Sequence, residues 1–181
     1  MIYAFLAKGF EEVEALATVD VLRRAELEVL TVGIGSKIVS GSHNIPVFCD
    51  LEESEISVDK DFDGIILPGG MPGTLNLEKN KTVNEFIDYA VKDNKLIAAI
   101  CAAPSILGHK GLLKGKEATC FPGFEDELDC AVISNKYVVA DGNIITAKGM
   151  GSAIDFGLAI TEYFCGNDEA SRLKNTLQCP E

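Results

Sequence analysis

The chain has 181 residues, 47% of them hydrophobic, which is enough for one sizeable core and suits a single domain spanning residues 1–181. Asp and Glu outnumber Lys and Arg by 28 to 16, a formal charge of −12 with no basic run, and this argues against nucleic acid or anionic membranes as partners. No apolar run approaches the roughly twenty residues of a membrane span.

The first residues, Met1-Ile-Tyr-Ala-Phe-Leu-Ala, lack a basic leader and read as a strand rather than a signal peptide. Residues 11–25 then carry Val13, Ala17, Val21 and Ala25 every fourth position beside Leu16 and Leu22, which predicts a helix with one apolar face. Residues 28–34 are a β-branched run closed by Gly35, so a strand–helix–strand unit forms within about 34 residues and favours a parallel sheet. Ile38-Val39 and residues 45–49 flank a turn and predict an added hairpin. The acidic stretch 51–63 is expected to be a solvated connection.

Gly64-Ile-Ile-Leu predicts a buried strand that ends in the loop Pro68-Gly-Gly-Met-Pro-Gly, where glycines admit backbone conformations barred to other residues. Residues 82–94 have helical spacing, and Leu96-Ile-Ala-Ala-Ile is a second buried strand with Cys101 at its end. Ala102-Ala-Pro then opens a helix with Pro104 in its first turn. Tyr137-Val-Val-Ala and Ile144-Ile-Thr-Ala flank Asp141-Gly-Asn as a hairpin, and Gly149-Met-Gly-Ser leads into a helix over 152–164. The pattern is an α/β three-layer sandwich of flavodoxin-like type, with a mostly parallel sheet, helices on both faces and a small added hairpin.

Ligands in such sheets bind beyond the carboxyl ends of the strands, so three loops, 8–14, 68–73 and 101–104, are expected to converge. Six cysteines without C-x-x-C spacing and only two histidines, His43 and His109, argue against zinc, and free thiols in a reducing cytoplasm are the expectation. Cys120, Cys130, Cys165 and Cys179 read as small buried hydrophobes. Cys101 admits the same reading, but its place between a buried strand and a helix start, opposite a glycine-rich loop, weighs equally for a reactive thiol. A helix N-terminus beside it predicts a lowered pKa. The amides of Gly69, Gly70 and Ala102 are candidates to hold a developing oxyanion or an oxidised sulfur.

Ala7-Lys-Gly-Phe-Glu-Glu-Val-Glu-Ala, Val19-Asp-Val-Leu-Arg-Arg-Ala, Ile66-Leu-Pro-Gly-Gly, Leu96-Ile-Ala-Ala-Ile-Cys-Ala-Ala-Pro and Gly149-Met-Gly-Ser-Ala-Ile-Asp-Phe, in that order, resemble the DJ-1/ThiJ/PfpI superfamily, and its DJ-1/ThiJ branch in particular, over residues 1–164. The resemblance implies a nucleophile elbow at Cys101, Glu14 as its partner acid, a homodimer, and no metal or other cofactor. Glu11 and Glu12 remain as helix N-terminal charges. A carboxylate would repel a thiolate, so the pair requires a protonated Glu14, with its pKa raised and that of Cys101 lowered.

Two departures from the family pattern matter. Ala102 stands where some members carry a histidine after the nucleophile, and Phe121 stands where others carry a loop histidine, which removes most support for proteolysis. His109 lies eight residues along the helix, roughly 12 Å from Cys101, while His43 is a possible accessory from the hairpin of the same or a neighbouring chain. The resemblance suggests an enzyme acting on reactive dicarbonyls such as methylglyoxal, or on early glycation adducts, of glyoxalase or deglycase type. The alternative is an oxidative-stress sensor or chaperone working through oxidation of Cys101. A flavodoxin-like small-molecule binder is weaker, because the 68–73 loop lacks phosphate-binding spacing.

Overall fold

The computed structural model describes residues 1–58 and 61–179. In chain order it contains β1 (Ile2–Leu6), α1 (Glu12–Arg24), β2 (Val29–Gly33), β3 (Ile38–Ser40), β4 (Pro46–Phe48), β5 (Leu51–Glu52), β6 (Gly64–Leu67), α2 (Gly73–Lys79), α3 (Lys81–Lys92) and β7 (Leu96–Ile100). There follow α4 (Pro104–His109), β8 (Glu117–Ala118), β9 (Val132–Ile133), β10 (Val138–Asp141), β11 (Ile144–Ala147), α5 (Ala153–Cys165) and α6 (Asn167–Thr176).

Seven strands form one sheet in the order β10-β11-β7-β6-β1-β2-β5, parallel except where β10 pairs antiparallel with β11. Alternation along each strand divides the core in two. Tyr3, Phe5, Ile65, Leu67, Ile97 and Ala99 face one side, with α2, α3 and α4. Ile2, Ala4, Ile66, Leu96, Ala98 and Ile100 face the other, with α1 and α5. This is the expected three-layer α/β sandwich. The small hairpin is β3 and β4, antiparallel, and a second small sheet pairs β8 with β9.

The apolar face of α1 is buried only in its second half. Val21 and Ala25 pack against Leu158 and Leu173 of α5 and α6, whereas Val13 and Leu16 are exposed, at 46% and 39%. Near its start the helix turns Glu12 and Glu14 inward instead, and its apolar positions there are rotated outward. The close approach of α1 to α5 depends on Gly157, where a Cβ would stand 2.9 Å from the Val21 side chain.

Residues 51–63 are more than a solvated connection, although Asp59 and Lys60 of that stretch lie outside the described residues. Leu51–Glu52 adds the last strand to the sheet, and Ile56 and Phe62 are core residues. Phe62 closes an aromatic cluster, with ring centroids 5.0 Å from Phe86 and 6.0 Å from Tyr3. Charge dominates the composition of this stretch and masks the single buried ring. Cys130 and Cys165 are likewise exposed rather than buried, and Cys179 is half-buried.

Truncating Phe62 removes a ring from a closed cluster that cannot collapse. Phe62→Ala is expected to cost about 3–5 kcal/mol of folding stability, read as a lower urea midpoint with an unchanged slope.

Candidate active site

The strand order reverses between β1 and β6. The loop after β1 and the loop after β6 therefore leave the sheet in opposite directions and open a crevice between them. Backbone bonds tie the two loops together, with Glu11 N–H donating to Gly69 C=O at 2.8 Å and Gly73 N–H to Gly9 C=O at 3.2 Å. Cys101 reaches the same crevice from the end of β7, so the three expected loops converge.

Cys101 has φ of +64°, in the left-handed region that costs a side chain-bearing residue energy. Its N–H donates to Ala147 C=O and its C=O accepts from Phe121 N–H, both at 2.8 Å, which holds the strained turn and aims the thiol into the crevice. This is the strained strand-to-helix turn that the expected nucleophile elbow requires. Space around it is minimal. A Cβ at Gly69 would stand 2.5 Å from Cys101 Cβ and 2.8 Å from Glu14 Oε2, and one at Gly70, itself at φ +89°, would stand 2.4 Å from Glu11 N.

Glu14 is 1% exposed and bonded to the Cys101 thiol. Its position follows from the helix start: Glu11 caps α1 by accepting from Glu14 N–H at 2.6 Å, which fixes the first turn. Gly69 N–H donates to Glu14 Oε2 at 2.9 Å, and the Met150 amide donates to the same carboxyl. Burial, aided by the nearby Glu11 charge, raises the Glu14 carboxyl to about 7 against these hydrogen bonds.

The expected fall in the Cys101 pKa is not found. Burial first, then the Glu14 charge and the hydrogen bond to it, push the thiol up to about 12, and the amides of Ala102 and Gly70 offset this only in part. The helix behind it, Pro104–His109, is too short to supply a strong dipole. Between about pH 7 and about pH 12 the pair holds one proton and one negative charge between them, and below about pH 7 it takes up a second proton. Removing the first proton leaves that charge on either carboxyl or sulfur, and removing the second sets two anions in contact. Amides stand ready for both single-charge forms: Gly69 and Met150 for the carboxylate, Ala102 and Gly70 for the thiolate. Gly69 therefore serves Glu14, and of the three expected oxyanion donors Gly70 and Ala102 face the sulfur.

His43 does not join the pair within one chain. Its ring is 72% exposed, and its backbone N–H and Nδ1 bond Glu12 at 2.7 and 3.1 Å. Ser42 Oγ and Ile45 N–H also donate to Glu12, at 3.2 and 3.4 Å. Glu12 is thus no ordinary helix-start charge but a buried acceptor that ties the β3–β4 turn to α1. Burial alone would raise its carboxyl, yet the hydrogen bonds from His43 and Ile45 outweigh burial and hold it at about 2. Nothing in a run of three glutamates distinguishes this role before the hairpin is in place. Glu11, Glu12 and His43 are the residues whose spacing suits a metal, their ligand atoms lying within 4.8 Å of one another among the described residues. The carboxylates there are already engaged by the hairpin and the helix cap. His109 is remote as expected, bridging Glu78 at 2.5 Å and Glu127 at 2.7 Å.

The DJ-1/PfpI family model matches residues 1–163. The chain belongs to the DJ-1/PfpI family. It is 35% identical over 175 residues to the protein dj-1beta of Drosophila melanogaster, covering 95% of this chain and 93% of that protein. It is 32% identical over 170 residues to a Caenorhabditis elegans protein named glutathione-independent glyoxalase DJR-1.2, covering 92% and 89%. It spans 40% and 43% of two longer DJ-1 homologues from Arabidopsis thaliana. Among solved structures, a mutant of a DJ-1 superfamily protein from Salmonella typhimurium superposes with a TM-score of 0.93 at 35% identity, over 99% of this chain and 98% of that one. An oxidised DJ-1 from Toxoplasma gondii also gives 0.93, at 31% identity, over 97% and 96%. The DJ-1/PfpI fold and the seven-stranded sheet described above therefore coincide.

A carboxyl raised from 4.5 to about 7 binds its proton more tightly in the folded chain than in the unfolded one. Its stabilising contribution is complete below 4.5 and is lost as pH rises through 7. Urea midpoints measured between about pH 5 and about pH 8 should fall for wild type, and the fall should be smaller in Glu14→Gln.

Proposed function

We propose that this protein is a cofactor-independent enzyme converting 2-oxoaldehydes such as methylglyoxal to 2-hydroxy acids, with the same chemistry extending to early glycation adducts. The observation that carries this reading is the buried Glu14 carboxyl hydrogen-bonded to the Cys101 thiol. One member of such a pair is a nucleophile and the other a proton carrier. The name of the worm relative supports the same chemistry.

In the first step the Cys101 thiolate adds to the aldehyde carbon, and the new alkoxide takes a proton to give a hemithioacetal. Ala102 and Gly70 amides face the sulfur, and in this reading they steady the oxyanion. Glu14, as carboxylate, then removes the hydrogen on the former aldehyde carbon and returns a proton to the neighbouring carbon. The first carbon is oxidised to a thioester while the second is reduced from ketone to alcohol, so no outside oxidant is consumed. Water hydrolyses the thioester, releasing the 2-hydroxy acid and restoring the thiol.

A second reading has its own support. The donors around the sulfur, Ala102, Gly70 and a protonated Glu14, suit the oxygens of a sulfinate, which forms when a peroxide oxidises the thiolate in two successive two-electron steps. The Toxoplasma relative was solved in an oxidised form. In this reading Cys101 signals oxidation without turnover. A homodimer belongs to either proposal, since Val13 and Leu16 on α1 and Ile45 and Phe48 on the adjoining hairpin are all exposed.

Reduced protein without glutathione is expected to form lactate from methylglyoxal, and Cys101→Ala and Glu14→Gln should each lower kcat by at least about a hundredfold. An inert wild type whose Cys101 alone gains oxygen under mild peroxide, read by mass spectrometry, would replace this reading with the sensor. For the dimer, sedimentation should show Leu16→Glu with Phe48→Glu shifting the protein to a monomer.

A further inference from the structure

Beside the Cys101–Glu14 pair lies a cavity of about 340 Å³ that the chemistry of a methyl-substituted substrate would leave mostly empty. Phe121, Pro122, Tyr137 and Lys148 line it together with residues 149–152. Phe121, Tyr137 and Met150 are large apolar side chains left 48%, 69% and 55% exposed around one concavity, an arrangement that marks a binding surface.

Gly149 joins this cavity to the reacting atoms. A Cβ there would lie 3.3 Å from the Phe121 ring, 3.6 Å from Glu14 Oε1 and 3.8 Å from Cys101 Sγ, so ring, acid and sulfur surround one point. With φ of +158° and a Cβ only 3.3 Å from the Phe121 ring, the position suits a residue without a side chain. The aromatic walls are tethered. Phe121 N–H donates to the carbonyl of Cys101 itself at 2.8 Å, and Tyr137 C=O accepts from Lys148 N–H at 2.9 Å, with Lys148 Nζ 5.4 Å from the centroid of the tyrosine ring.

We propose that this cavity is the subsite for the group attached to the ketone carbon, and that the protein's preferred dicarbonyls are arylglyoxals or others with a bulky apolar substituent. The proposal rests on the dicarbonyl reading above and names its substrate class. The aldehyde carbon meets Cys101, the ketone carbon lies within reach of Glu14, and the aryl group enters between Phe121, Tyr137 and Met150. For phenylglyoxal the atoms balance as for methylglyoxal: the sulfur adds to the aldehyde, one hydrogen moves to the adjacent carbon, and water releases mandelate.

The test compares phenylglyoxal with methylglyoxal on the full chain and on its Phe121→Ala and Tyr137→Ser variants, following mandelate and lactate by chromatography. Wild type should favour phenylglyoxal in kcat/KM by on the order of tenfold or more, and the ratio should fall by on the order of tenfold in at least one variant. A second readout needs no turnover: alkylation of Cys101 by iodoacetamide in the presence of mandelate or lactate. Mandelate should protect at lower concentration than lactate in wild type, and Tyr137→Ser should erase that advantage. If neither dicarbonyl reacts but mandelate still protects selectively, the dicarbonyl reading fails while the aryl subsite stands. Methylglyoxal turnover without an aryl preference, mandelate protection no better than lactate, or an advantage that survives both substitutions overturns the subsite.

Discussion

Two acidic groups buried in contact can carry one negative charge between them but not two, and that constraint organises the crevice around Cys101 and Glu14. Burial and the neighbouring charge raise both groups, so a proton stays within the pair across neutral pH. The structure answers with amides aimed at each possible seat of the charge. Gly69 and Met150 face the carboxyl, and Gly70 and Ala102 face the sulfur. In the proposed chemistry, reactivity rests on moving a charge inside a fixed frame rather than on a thiol that is permanently ionised.

The frame exists because backbone approaches backbone where side chains would collide. Cys101 is held at positive φ by bonds to Ala147 and Phe121, and Gly69 and Gly70 leave room for the thiol, the carboxyl and the loop after β1. Glu11 caps the helix whose first turn delivers Glu14, while Glu12 turns the other way to hold the hairpin. Three glutamates within four residues thus have three different roles, set by the helical rotation between them and by what packs on each side.

Much of this was legible along the chain. Apolar runs at residues 64–67 and 96–100, the glycines after the first and the cysteine after the second, and a helix beginning near Glu11 are local signals, and the structure places them as expected. The partner acid was legible only through family resemblance, since composition and periodicity treat Glu11, Glu12 and Glu14 alike. Other features escaped for physical reasons. Phe62 is one core residue in an acidic stretch, and Val13 and Leu16 satisfy a helical apolar pattern yet face outward because two carboxylates occupy the inward positions.

By itself the sequence determined the layered α/β fold, the convergence of three loops at one end of the sheet, and the cysteine standing there, because each depends on periodicity and turn chemistry within a few residues. The tertiary structure alone decided which glutamate is buried against the thiol, that Gly69 N–H bonds that acid, that the thiol is raised rather than lowered, and that Phe121, Tyr137 and Met150 line one cavity beside it. Those outcomes depend on burial and on distances between residues far apart in the chain, and electrostatic and packing energies follow separation in space, not in sequence.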